Sequence, residues 1–418
     1  MLGFLVKTYP KISETFVLQE ILELQKETFA MTIFSMQKPT DQQFHRAFDL
    51  VKPDVNYLSS EDRQCNATIN THLQFICGKP RAYLKTLIFT FTRSEGGTLS
   101  QFLQAVYFSG LVQEKGITHI HAHFASEPSG LAELVSRLCG VSYSISAHAK
   151  DIYLQDKSSL SRKIQYARFV VTCTDYNRRF LQAVNQSKTP VYCLYHGIDS
   201  ARVTAENDQQ LEQSTVLRIL SVGRLREKKG FPTLLAACQL LHQSGYKFRC
   251  DIVGYGPDKE ILQALIERYQ LTGCVYLLGK LTHEKLVALY RQTAVFALPC
   301  QIADDGDRDG IPNVLMEAMT FAIPVVSTNI SGIPELIENN QTGLIIEAKN
   351  KQGLFCALKH LLDNPNLRKQ LGNAGKQNVL SRFSAEHHIT HLKELLTLAV
   401  ATSVVTDFAE TVKGEQNG

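Results

Sequence analysis

Two carboxylates bracket a helix start in the stretch PCQIADDGDRDGIPNVLMEAMTFAIPVVSTNISGIPELIE, residues 299–338. Asp309 stands immediately before Gly310-Ile311-Pro312-Asn313, and Glu317 follows after seven intervening residues. Pro312 reads as the first helical residue, because its missing N–H is one that a helix leaves unpaired. Val314, Leu315, Ala318 and Met319 then recur at helical spacing and give one buried face. Such a helix tip offers backbone N–H groups and the positive end of a dipole, which suits a phosphate. Glu317, about a turn and a half further in, has two acceptor oxygens with which to hold a vicinal diol. Phosphate at a helix tip and a carboxylate on a diol are together what a nucleotide requires.

Cations stand on another loop, Gly223-Arg224-Leu225-Arg226-Glu227-Lys228-Lys229-Gly230. Arg224 can offer a forked pair of hydrogen bonds to a diphosphate and Lys229 a point charge; a solvated basic turn is the alternative. Gly254-Tyr255-Gly256-Pro257 permits close backbone approach to a ligand, yet Lys259 replaces the third glycine of a dinucleotide fingerprint. Gly279-Lys280-Leu281 can pass under a base, and either loop can equally be a plain tight turn. His148, in Ser146-Ala147-His148-Ala149-Lys150-Asp151, is expected to project from a strand end, or else to be a satisfied structural histidine. His121-Ala122-His123 has the look of a metal pair, but no third ligand lies at a matching spacing, so it reads as strand-end hydrogen bonding. The aspartates at 305, 307 and 309 mimic metal-nucleotide pairs but fall in an acidic loop, and no metal is expected there. Tyr9-Pro10-Lys11-Ile12-Ser13-Glu14-Thr15-Phe16 links the first strand to the first helix. Ser13 suits an N-cap, and Ser13, Glu14 and Thr15 are candidates for acceptor or phosphate contact.

The elements that must position these groups alternate strand with helix, which predicts doubly wound parallel α/β sheets. Strands are expected at 1–7, 30–36, 117–121, 143–147, 169–172 and 191–194, with helices at 13–27, 99–114, 128–139 and 175–183. The pattern restarts with strands at 217–223, 247–253, 275–278, 295–298, 323–327 and 344–346 and helices at 231–243 and 259–269. The polar run 201–213 reads as a linker between two domains, 1–200 and 201–383. A final helix over 387–401 precedes a tail that looks frayed. Two such halves are expected to enclose a cleft at the carboxyl ends of their strands.

Composition sets the outer bounds. The chain has 418 residues, 44% of them hydrophobic, enough for two cores. Ten cysteines without paired CxxC spacing indicate neither a disulfide framework nor a zinc site, and fit a reducing compartment. No secretory leader is legible at the start and no stretch reaches the length of a spanning helix, so a cytoplasmic location is the expectation. The net charge of +4 arises in the first 200 residues. There the segment 79–93 mixes Lys79, Arg81, Lys85 and Arg93 with bulky apolar residues. It reads as a helix buried against its own domain with basic ends, or as one resting on an anionic bilayer.

Taken in order, YPKISETF, HIHAHFAS, SAHAKDIY, YHGID (196–199 its last four residues), SVGRLREKKG, IVGYGP, DRDGIPNVLMEAM and GIPELIE resemble the family 4 glycosyltransferases. The resemblance spans nearly the whole chain, and SETF with DRDGIPNV is similar to the bacterial exopolysaccharide branch of the colanic-acid type. It implies the GT-B fold, two facing Rossmann-like domains with the C-terminal helix, about 384–401, rejoining the first and 402–418 a flexible tail. It further implies transfer of a hexose, with retention, from a UDP- or GDP-type nucleotide-diphospho-sugar to a saccharide or lipid-linked oligosaccharide. Exopolysaccharide or lipopolysaccharide synthesis at the inner face of the membrane would be the setting, without nucleic acid, cofactor or metal. By position, Glu317 would hold the ribose, Arg224 and Lys229 the diphosphate, Asp309 the donor-sugar hydroxyls and His148 the sugar or its phosphate. Gly310, Ile311, Pro312 and Asn313 would lend backbone N–H groups, and Gly223, Gly254, Gly256, Gly279, Lys280 and Leu281 would line the donor. Two departures stand out: Asp309 is shorter than the family's usual glutamate, and the first loop lacks the family's paired glycines. A sugar-nucleotide epimerase of the same fold and a non-catalytic nucleotide-binding partner are the alternatives.

Overall fold

The computed structural model describes residues 1–11, 14–26, 29–39, 46–59, 65–198 and 216–415. Ser13, Asp199 and the linker expected at 201–213 lie outside the described residues. Leu2–Thr8 (β1) is apolar along nearly its whole length because both faces of a central parallel strand are covered. It leads into Thr15–Lys26 (α1), Met31–Gln37 (β2) and Val55–Tyr57 (β3). Three helices follow, Cys65–Gly78 (α2), Pro80–Thr92 (α3) and Leu99–Glu114 (α4). Next come His119–His123 (β4), Glu127–Cys139 (α5), Ser142–Ala147 (β5), Lys150–Tyr153 (α6) and Lys157–Tyr166 (α7). Val170–Thr172 (β6), Asp175–Val184 (α8) and Val191–Cys193 (β7) complete the first set. Its strands are all parallel, in the order β3-β2-β1-β4-β5-β6-β7.

The second sheet begins with Leu217–Val222 (β8), Phe231–Gln243 (α9), Phe248–Val253 (β9), Lys259–Arg268 (α10) and Val275–Gly279 (β10). It continues through His283–Arg291 (α11), Val295–Ala297 (β11), Asn313–Thr320 (α12), Val325–Thr328 (β12), Ile333–Leu336 (α13) and Leu344–Ile346 (β13). Lys351–Asp363 (α14), Pro365–Arg382 (α15) and Ala385–Glu415 (α16) close the chain. The order is β10-β9-β8-β11-β12-β13, again parallel throughout. Strand order reverses between β8 and β11, and in open α/β sheets ligands bind outside the carboxyl ends of strands at such a reversal.

The chain divides into two units: 1–173 with 177–194 and 388–418, and 174–176 with 195–387. In the first, Phe34, Phe102, Phe108 and Tyr143 pack on one side of the sheet, and Leu392, Leu396 and Ala399 of α16 join Phe4 and Ile21 on the other. In the second, Phe231, Phe296 and Phe383 centre a single core.

Several boundaries depart from the periodic reading. The strand expected at 117–121 is His119–His123, which brings His123 into the sheet. Pro312 is the N-cap of α12, with ψ 121°, and Asn313 the first helical residue; the Pro312 carbonyl accepts from Leu315 N–H at 3.0 Å. The last helix continues through Glu415, past the end expected near 401. Segment 79–93 does contain a helix, α3, which buries Thr86 and Thr90 and packs Tyr83, Leu87 and Phe89 against the core of its own unit, while Leu84, Ile88 and Phe91 stay exposed.

Candidate functional site

At the switch point of the second sheet, the loops after β8 and β11 bring opposite charges together. Lys229 Nζ lies 2.7 Å from Asp309 Oδ2. Lys228 Nζ reaches Asp309 Oδ1 at 3.3 Å and Asp307 Oδ1 at 3.1 Å. A one-turn 3-10 helix over Glu227–Lys229 presents the lysines, and Gly230, at φ 67°, turns the chain into α9. Burial raises the Asp309 carboxyl, but Lys229 and Lys228 outweigh it and hold the group below the usual aspartate range. Burial likewise weakens Lys229 as a cation, and Asp309 more than restores it. Cys300 Sγ donates to Asp309 at 3.8 Å, and burial drives its thiol up to about 12, so it stays protonated.

Glycines make room for this arrangement. An added Cβ on Gly223 would stand 3.2 Å from Lys229 Cε, so the lysine stem crosses directly over that residue. Gly254 sits at φ +151°, and its absent Cβ would fall 1.8 Å from the Gly223 carbonyl oxygen. Backbone bonds lace the loops: Gly223 N–H to Val253 O at 2.9 Å, Leu225 N–H to Tyr255 O at 2.9 Å, and Gly254 N–H to Gly279 O at 2.9 Å. A Cβ on Gly256 would meet Leu225 O at 2.3 Å, so this loop too is set by close backbone approach.

Arg224 and Lys280 converge on exposed Tyr255, with the guanidinium carbon 5.6 Å and Nζ 5.9 Å from the ring centroid. Leu281 and Ile311 pack instead, partly buried, against the core of the second unit. Glu317, in α12, accepts from the Tyr290 hydroxyl at 3.0 Å through Oε2. Burial lifts the Glu317 carboxyl above the ordinary glutamate value, while Tyr290 and His283 partly restrain it. Tyr290 is itself fixed by stacking on Phe321, centroids 5.2 Å apart. Gly310, Ile311, Pro312 and Asn313 lead Asp309 into the α12 N-terminus. Sequence reasoning singled out Lys229, Asp309 and Glu317 but missed Lys228 as the second cation on Asp309, and Tyr290 as the holder of Glu317. Lys228 was legible as a neighbour in the basic run; Tyr290, 27 residues from its partner, carried no local signal.

His148 belongs to the first unit. Asp151 fixes its loop by accepting from the N–H groups of His148 at 3.1 Å, Ala149 at 3.1 Å and Ala125 at 2.7 Å. The imidazole lies among Phe16, Phe124 and His123, with centroids 4.7, 4.9 and 5.7 Å away. Glu14 is paired with Lys11 at the start of α1. Behind them runs a buried ladder of imidazoles and hydroxyls. His119 joins Ser142 and Ser144 at 2.8 Å each, and His121 joins Ser144 at 2.7 Å and Ser146 at 3.0 Å. Burial lowers both histidines to about 3, keeping them neutral. His123 Nε2 meets Glu20 Oε1 at 2.9 Å. Glu20, His121 and His123 thus offer three donor atoms within 4.8 Å of one another, a third ligand that spacing along the chain did not reveal.

The first unit also holds a cavity of about 240 Å3 lined by Arg93, Gln101, Gln104, Gln155 and Lys163 among others. Lys163 Nζ donates to Gln155 Oε1 at 2.8 Å, and burial lowers the ammonium to about 8.

Two doubly wound parallel-sheet units of this topology define the GT-B class. The chain carries a domain of the family described as "Glycosyl transferases group 1", which matches residues 203–378. It is 27% identical to WcaL of Salmonella typhimurium, named as a colanic acid biosynthesis glycosyltransferase, over 94% of this chain and 98% of that one. It is 38% identical to AmsK of Erwinia amylovora, an amylovoran biosynthesis glycosyltransferase, over 43% of this chain and 44% of that one. Among solved structures, sucrose-phosphate synthase of Thermosynechococcus elongatus shares the fold at TM-score 0.73 and 14% identity, covering 96% of this chain and all of that one. HepE of Anabaena, solved with UDP and glucose, does so at 0.70 and 15%, over 94% and 99%.

Proposed function

We propose that this glycosyltransferase moves a hexose from a UDP- or GDP-type nucleotide-diphospho-sugar to a saccharide or lipid-linked oligosaccharide, with retention, in exopolysaccharide assembly in the cytoplasm. The observation that carries the reading is the Lys229–Asp309–Lys228 cluster at the β8/β11 reversal, beside the α12 N-terminus. In the reaction the bond from the anomeric carbon to the diphosphate breaks, and its electron pair leaves with the phosphate oxygen. An acceptor hydroxyl forms the new bond on the same face and passes its proton to the departing diphosphate. Preorganised cations and helix N–H groups stabilise that leaving charge without a divalent ion. Lys229 and Arg224 take the diphosphate, Asp309 the sugar hydroxyls, Glu317 the ribose diol, and His148 the sugar or its phosphate. The colanic-acid and amylovoran relatives support the exopolysaccharide setting, and the first unit's cavity, where Gln101, Gln104 and Gln155 stand beside Arg93, Glu95 and Lys163, suits a hydroxyl-rich acceptor.

Lys229→Ala and Arg224→Ala are each expected to lower turnover at least about 100-fold, as loss of a charge stabiliser does, while leaving the far-ultraviolet circular dichroism unchanged. Thermal-shift screening of sugar nucleotides, with and without EDTA, should reveal one base and sugar whose stabilisation EDTA leaves intact. Wild-type turnover in both variants would remove the clamp; isomerised donor in the absence of acceptor would point to an epimerase instead.

A further inference from the structure

We propose that the outer faces of α2 and α3 form a docking surface for an anionic phospholipid bilayer. In α2, Ile69, Leu73 and Ile76 are 51, 54 and 46% exposed, and in α3 Leu84, Ile88 and Phe91 are 56, 54 and 52% exposed. Each trio follows an i, i+4, i+7 spacing and so shares one helix face. The inward faces instead carry Thr71 and Phe75 in α2, and Thr86 and Thr90 in α3. Besides the apolar residues they pack inward, Phe75 in α2 and Tyr83, Leu87 and Phe89 in α3, both helices thus carry a second strip of bulky hydrocarbon outward, which contact with water alone disfavours.

Charge identifies the occupant. From Cys65 to Ser94 the sequence holds no Asp or Glu, while Lys79, Arg81 and Lys85 are exposed where the two helices meet. Cations beside an apolar face match a surface whose headgroups are negative and whose interior is hydrocarbon. A two-fold contact with a second copy would set these cations against their own equivalents. Among the described residues no helix is long and apolar enough to cross a membrane, so the pair lies on the surface.

The test is flotation of the full chain with vesicles of phosphatidylglycerol and phosphatidylcholine, against phosphatidylcholine alone. The wild type should float only with the anionic vesicles, and less at high salt. L84E/I88E and, separately, K79E/R81E/K85E should each cut the floated fraction at least fivefold. I261E, altering a side chain 60% exposed on α10 of the second unit, should not. Equal flotation of all four proteins, or none by the wild type, overturns the proposal. So does a wild-type dimer by light scattering that L84E/I88E converts to a monomer. Flotation is read with neither donor nor acceptor present, so its failure leaves the proposed transfer reaction standing, and the reverse holds.

Discussion

Glu317, the proposed ribose-holding residue, shows how one hydrogen bond tunes a buried carboxylate. To accept from two ribose hydroxyls the group must be ionised, and burial opposes ionisation. Tyr290, donating at 3.0 Å, acts against that opposition and brings the carboxyl part of the way back down. Donor affinity should therefore fall as pH drops through a carboxyl value above the ordinary glutamate 4.5. Tyr290→Phe removes the restraining donor and keeps the ring that stacks on Phe321, so the acid limb of donor affinity should move to higher pH. Calorimetric titration of the sugar nucleotide at a series of pH values reads this directly; an unmoved limb means Tyr290 does not control Glu317. The sequence made Glu317 legible because it sits at fixed spacing from Asp309 on a helix with a clear apolar period. Tyr290 and Glu20 were not legible, because each meets its partner only once separate strand–helix units have assembled.

The elements around the proposed donor loops are arranged so that backbone, not side chain, sets the spacing. Gly223 and Gly254 separate two kinds of constraint. A methyl at Gly223 meets the flexible Lys229 stem at 3.2 Å, so Gly223→Ala should fold with a loss under about 1 kcal/mol. It should nonetheless weaken donor binding severalfold by displacing Nζ from Asp309. A methyl at Gly254 would strike the Gly223 carbonyl oxygen at 1.8 Å from a backbone geometry that side chains rarely adopt, and should cost more than about 2 kcal/mol. Urea unfolding and donor titration of both variants separate the effects; equal stability loss would show that the lysine stem is as rigid as the backbone. Where a helix was legible, as in α10, buried Leu262 and Ile266 stand four residues apart and give a clean period. α15 was missed because small residues do its packing: an added Cβ on Gly372 would meet the Ala322 carbonyl oxygen at 1.9 Å. α2 was missed for the opposite reason, since Ile69, Leu73 and Ile76 stay outside and blur the stripe.

At the scale of the whole chain, each unit closes its own core, and the proposed diphosphate contacts lie in the second. Phe34, Phe102 and Phe108 belong to one buried cluster and Phe231, Phe296 and Phe383 to another. Multidomain chains of this kind often melt in more than one step. A ligand that binds one folded unit stabilises that unit by about 2.7 kcal/mol at 100 times its Kd, roughly 5–10 °C for a domain of this size. Scanning calorimetry with saturating sugar nucleotide should then raise one transition and leave the other in place. Lys229→Ala should abolish the rise. Phe108→Ala, which opens a cavity in the first unit's core at a cost of about 3–5 kcal/mol, should lower only the transition that the donor does not move. If the donor lifts both transitions together, or if Phe108→Ala lowers the donor-sensitive one, the two cores melt as one and donor binding cannot be assigned to the second unit on thermal grounds.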